Sequence, residues 1–114
     1  MLAKPDRLHT DRDYARLFAK GKAFHGRGVT VKVFKSGIAK SKIGFVVSTK
    51  VAKKANVRNV IKRRMREIVR EYLSTLAPGY DVAFMARSEV KDLDFSALRT
   101  AMVEVMKKAG LLPR

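Results

Sequence analysis

The sequence predicts a single α/β domain with elements in the order α-β-β-α-β-α. Three observations carry that expectation. Short runs of alternating or continuous apolar residues, at 29–34, 43–48 and 80–86, have the length of strands. Segments with apolar residues at helical spacing flank and separate them. A chain of 114 residues with 46% hydrophobic content suffices for one packed core and little more.

Taken in order, Thr10 opens the first helix, with Asp13 three residues on as a capping-box partner. Tyr14, Leu17 and Phe18 recur at helical spacing until Gly21 stops the pattern. A short extra strand near residues 22–26 fits the gap that follows. Val29, Val31 and Val33 alternate with Thr30, Lys32 and Phe34, as in a half-buried strand, and Lys35-Ser36-Gly37 turns the chain. Ile43 to Ser48 is a short apolar run, the mark of a strand covered on both faces. The longest element carries Val57, Val60, Ile61, Met65, Ile68, Val69, Tyr72, Leu73 and Leu76 at helical spacing, with Asn56 as N-cap. Pro78-Gly79 ends it, and Tyr80 to Ala86 is another strand. Asp94 caps a final helix bearing Leu98, Met102, Val105 and Met106, stopped at Gly110. Strand, long helix, strand implies a parallel pair, and the general rule makes such a crossover right-handed.

Charge is concentrated. Lys and Arg number 26 against 10 Asp and Glu, a net charge of +16. Residues 1–42 carry eleven basic and three acidic side chains; residues 50–70 carry nine basic ones and the single acid Glu67. Residues 71–114 carry six of each, so the whole surplus lies in the first 70 residues. Such a block calls for a polyanionic partner. Nucleic acid leads, because each neutralised phosphate releases counterions; an acidic membrane surface or an acidic protein is the alternative. The lack of cysteine excludes a disulfide framework, a thiolate zinc site and a cysteine nucleophile. No apolar run approaches the ~20 residues that cross a bilayer. The opening MLAKPDRLHTDRDY lacks the apolar middle of a secretory signal, so a soluble cytoplasmic protein is expected.

On a helical wheel the apolar residues of 57–76 centre near Ile61, Ile68 and Tyr72. Arg58, Lys62, Arg66 and Arg70 step four residues apart along the adjoining side, joined by Asn59 and Arg63. Arg64, Glu67 and Glu71 take the other flank, at spacings that allow pairing. Cations at i, i+4 repel by a few tenths of a kcal/mol per pair, so a purely structural helix would alternate signs. The arginine forks suit phosphate oxygens and favour recognition of shape over sequence.

The segment Arg58 to Glu67, RNVIKRRMRE, resembles the signature of the bacterial ribonuclease P protein subunit. That family carries an R-N-R-x-x-R-type motif on its long helix, usually followed by K-R-x-x-R-E. Arg58, Asn59, Lys62, Arg63, Arg66 and Glu67 match, while Val60 stands where a third basic residue is usual. VVSTKVAKKANVRN, from Val46 to Asn59, is similar to the family's strand-to-helix lead-in, without the glycine common there. Arg7-Leu8 with Asp13-Tyr14 and Phe18 resembles its N-terminal helix. YDVAFMAR and DFSALRTAMVEVMKKAGLL resemble its last strand and helix, so the likeness spans nearly the whole chain.

The resemblance implies a two-layer α/β sandwich with an uncommon left-handed βαβ crossover, against the general rule. It implies a non-catalytic protein subunit in the endonuclease that removes the 5′ leader from precursor tRNA. A catalytic RNA subunit would supply the hydrolytic site, with magnesium ions there activating water. The expected partners are that RNA and precursor tRNA, with no membrane and no obligate protein partner. Ser48, Lys50, Arg58, Asn59, Lys62, Arg63 and Arg66 would dock on the RNA subunit; Arg70 lies on the same side but outside the motif. The leader would enter a cleft between the first helix and the sheet. Tyr14 and Phe18 match the family's aromatic positions there, and rings one turn apart can stack on unpaired bases. The same spacing equally suits two core aromatics. Arg27 and Lys32 would flank the leader's phosphates.

No catalytic constellation is present. His9 and His25 lie far apart on polar stretches and read as surface residues, and there is no G-x-x-x-x-G-K-[ST] loop. Gly26-Arg27-Gly28 reads as a bend at a strand start. The carboxylates show no metal-ligand spacing, although Asp81 on its strand could face a cleft. A small ribosomal or other structural RNA-binding protein is the alternative function, and an independent protein nuclease a third.

Overall fold

The computed structural model describes residues 7–8, 10–37 and 40–113. Its helices are α1 (Asp11–Lys20), α2 (Ala55–Arg70) and α3 (Phe95–Lys108). Its strands are β1 (Lys22–His25), β2 (Val29–Lys35), β3 (Lys42–Val46) and β4 (Tyr80–Ala86), and a 3-10 turn at Ser88–Asp92 precedes α3. The expected order is observed, and β1 is the extra strand near 22–26. The strands form one sheet in the order β1-β2-β4-β3. β2 runs antiparallel to both β1 and β4, while β3 runs parallel to β4, the strand to which α2 connects it.

Register sorts the side chains onto two faces. Val29, Val31 and Val33 of β2 share one face with Ile43 and Phe45 of β3 and with Val82, Phe84 and Ala86 of β4. α2 covers that face with Ile61, Met65, Ile68 and Val69, and α3 with Leu98, Met102, Val105 and Met106. Sheet and helix pair make the two-layer sandwich. Each fully buried Val, Ile or Phe here contributes about 1.5–3 kcal/mol of transfer free energy.

α1 lies across the other face. Leu17 and Leu8 pack on Ala83, with Tyr14 and Phe34 alongside. Alternation alone sends Thr30 and Phe34 to solvent. In the structure Phe34 is half-buried beneath α1, and Thr30 is buried, with its Oγ1 3.1 Å from His25 Nδ1. His9 lies outside the described residues.

Local signals held at most boundaries. Thr10 Oγ1 accepts from the Asp13 amide at 3.1 Å, and Asp94 Oδ1 from the Ala97 amide at 2.8 Å. The Asp13 carboxylate, expected to close a capping box, faces Arg16 (3.5 Å) and Lys42 (3.9 Å). β3 stops at Val46 and is an edge strand, its outer side met by Arg7 and by the Leu8 amide, which donates to Ile43 O at 2.9 Å. α2 begins at Ala55, with Lys54 at the N-cap position and no side-chain cap, so Asn56 is not its N-cap. Burial of Val51 just upstream brings the chain into the core early and sets the helix start. Val57, assigned to the apolar stripe by spacing, is 37% exposed. The regular helix ends at Arg70; Tyr72, Leu73 and Leu76 still pack on the core from the turns that follow.

Candidate nucleic-acid interface

Burying Ile61, Met65, Ile68 and Val69 commits one side of α2 to the core and turns the opposite side outward. Asn59, Arg63 and Arg70 are exposed, and Arg58, Lys62 and Arg66 are half-exposed. Among the described residues no carboxylate forms an ion pair with Arg58, Lys62, Arg63 or Arg66. The flank expected to pair within the helix does not do so: Glu71 is held by Arg99 of α3 at 2.6 Å. The cations are not equivalent. Arg58 Nη1 donates to the carbonyls of Ala52 (2.9 Å) and Lys53 (2.7 Å), so this guanidinium braces the loop before the helix. The Arg66 guanidinium lies 5.8 Å from the centroid of the Phe45 ring, which aims it along the β3 edge. Ser48 and Lys50 are exposed in the turn after β3, where the Val51 amide donates to Ser48 O at 3.1 Å.

The second candidate surface lies on the α1 side of the sheet. Tyr14 and Phe18 stack with centroids 6.0 Å apart and planes at 27°. Tyr14 is half-buried and Phe18 is 41% exposed, so the pair forms a wall rather than a core. Burial raises the Tyr14 phenol above its ordinary pKa. Lys32 Nζ donates to Phe18 O at 2.7 Å and sits 5.6 Å from the Phe18 ring, adding a cation at the C-terminal end of α1. Arg27 is exposed in the bend before β2.

Sequence reasoning missed the floor of this surface. By register, Gly44, Val46 and Met85 share the α1 face, and Val46 and Met85 are half-buried. Strand parity at 42–46 and 80–86 is the signal that would have found them. Gly44 is required there, because a β-carbon would overlap the Tyr14 hydroxyl and lie 2.8 Å from Tyr14 Cζ. Gly44→Ala is expected to cost about 1–3 kcal/mol in urea denaturation, as overpacking that displaces the Tyr14 ring.

The two surfaces meet at the β3 edge. A niche of about 140 Å³ is lined there by Tyr14 and Gly44 from one side and by Lys62 and Arg66 from the other. The expected Tyr14/Phe18 and α2 sets are therefore contiguous. Arg27 and Ser48 lie farther out, in loops at the strand ends. The described residues contain no group of three or more His, Asp or Glu able to hold a metal ion, and no helix long and apolar enough to cross a membrane.

Residues 2–110 match the family model described as Ribonuclease P. The chain belongs to the ribonuclease P protein family. The ribonuclease P protein component of Syntrophomonas wolfei is 34% identical over 114 residues, covering 100% of this chain and 95% of that one. The component from a Picosynechococcus is 35% identical over 94 residues, covering 82% and 81%. Among solved structures, a Staphylococcus aureus RNase P protein mutant with defective mRNA degradation activity superposes with a TM-score of 0.88 at 27% identity, covering 96% of this chain and 92% of that one. The RNase P protein of Thermotoga maritima gives 0.79 at 31% identity, covering 90% and 96%. Ribonuclease P proteins are the protein subunit of a ribonucleoprotein, which accords with a chain that offers cationic and aromatic surfaces.

Proposed function

We propose that the protein works with a catalytic RNA to remove the 5′ leader from precursor tRNA in the cytoplasm. α2 docks on the catalytic RNA through Asn59, Lys62, Arg63 and Arg66, with Ser48, Lys50 and Arg58 at its approach. The single-stranded leader lies against Tyr14 and Phe18 over the open sheet face, with Lys32 and Arg27 near its phosphates. One observation carries this reading: Tyr14 and Arg66 line the same niche, so the leader wall and the RNA-docking helix are continuous. Stacking is tolerant of sequence, as leaders of varied sequence require. In this reading the magnesium ions of the reaction are held by the RNA.

Reconstitution tests the proposal: purified protein and precursor tRNA, with and without the catalytic RNA. Stimulated cleavage at the leader junction only when the RNA is present is the expected result. Cleavage by protein alone would make it a nuclease in its own right, and absence of any stimulation would favour a ribosomal or structural role. Phe18→Ala is expected to weaken binding of leader-bearing precursor about tenfold while leaving mature tRNA unchanged, since base stacking contributes about 1–3 kcal/mol per base. Equal loss for both ligands would return Phe18 to a purely structural part.

A further inference from the structure

A second concave surface opens just past the C-terminus of α1. It is a groove of about 430 Å³ between Lys20, Lys22 and Lys35, with Phe24, Val33, Phe34, Tyr80 and Ala109 as its apolar lining. Register sets Lys22 and Phe24 opposite Val33 and Val31, and Lys35 opposite Tyr80, on the α3 face, while Lys20 and Phe34 line the groove from the α1 face, so it opens where the two faces of the sheet meet. All three lysines are exposed, and their ammonium groups have no hydrogen-bond or ion-pair partner among the described residues. No acidic side chain lines the groove among the described residues.

Three unneutralised ammonium groups around half-buried rings make a surface of the kind that tracks a single nucleic-acid strand. Lysine at a sheet edge also deters strand pairing. That accounts for Lys22 on the edge strand β1, but not for Lys20 on α1 or Lys35 on the inner strand β2. Position adds the rest. Lys22 is four residues beyond Phe18, a span of at most about 14 Å of backbone. A strand leaving the Tyr14/Phe18 wall over the β1 edge therefore arrives at this groove.

We propose that the Lys20/Lys22/Lys35 groove takes the distal, 5′ part of a long single-stranded leader. This rests on the reading of α1 as the leader wall. The holoenzyme reconstituted with its catalytic RNA is titrated with two precursors. One has a leader just long enough to cross α1; the other is extended by about ten unstructured nucleotides, within the reach of a small strand-binding domain. The extension is expected to tighten binding to the wild-type protein about tenfold, and K20E/K22E/K35E to abolish that gain. Three phosphate contacts to a single strand predict a salt-dependence slope lower by about 2 for the long leader alone. K20Q/K22Q/K35Q should act in the same direction with a smaller loss. No gain from the extension in the wild type, a gain kept by the variants, or equal weakening of both precursors would each overturn the proposal. Phe18→Ala on the short-leader precursor separates the two ideas: no effect there removes the leader wall itself.

Discussion

Replacing Arg63 and Arg66 together by alanine is expected to weaken binding to the catalytic RNA about hundredfold at moderate salt. Two charge-assisted hydrogen bonds at about 1.5 kcal/mol each amount to that factor. The slope of log affinity against log salt should fall by about 2, because each lost phosphate contact on a helical RNA removes about 0.9. Arg63 is exposed and Arg66 half-exposed, and neither is neutralised by a described carboxylate, so the charges are available. Arg58 would be the wrong choice for this test. Its guanidinium holds two loop carbonyls, and its loss would disturb the start of α2 as well as any RNA contact. An unchanged salt slope in the double variant would take the α2 face out of the interface.

Arg16→Ala is expected to destabilise the fold by about 3–5 kcal/mol, and Asp81→Ala by only about 1–2 kcal/mol. The asymmetry follows from where the two charges sit. Asp81 is 1% exposed and its Oδ2 accepts from Arg16 Nη2 at 2.7 Å. Without Arg16 an unpaired carboxylate stays buried between α1 and the sheet. The Arg16 side chain is 35% exposed, lies 5.0 Å from the Phe34 ring centroid and also faces Asp13, so it keeps water and neighbours when Asp81 is lost. Urea denaturation of both variants checks the order. Equal losses would mean that the pair is not desolvated as the geometry implies. Because Arg16 clasps α1 to the sheet, its loss should also weaken leader binding, through displacement of Tyr14 and Phe18.

Readable features were those decided within a turn or two of chain. Thr10 and Asp94 cap helices with their own side-chain oxygens, and the valines of β2 alternate because a pleat does. The cationic side of α2 followed from a helical period and a count of charges. The start of α2 did not, because it answers to the burial of Val51 rather than to any capping residue. Nor did the pairing of Glu71, which reaches across to Arg99 of α3 instead of pairing within its own helix. Both are outcomes of packing between elements distant in the chain.

The amino-acid sequence by itself determined the elements, their order, the outward cationic stripe of α2 and the family to which these motifs point. Periodicity and charge spacing are local, and each is written in consecutive residues. Only the tertiary structure decided whether Tyr14 and Phe18 belong to a core or a wall, and it did so through Gly44, which leaves room for the Tyr14 ring on a strand about thirty residues away. The same holds for the meeting of that wall with Lys62 and Arg66 at the β3 edge. Such contacts depend on which strand lies at the sheet's edge, and strand order is a property of the whole chain.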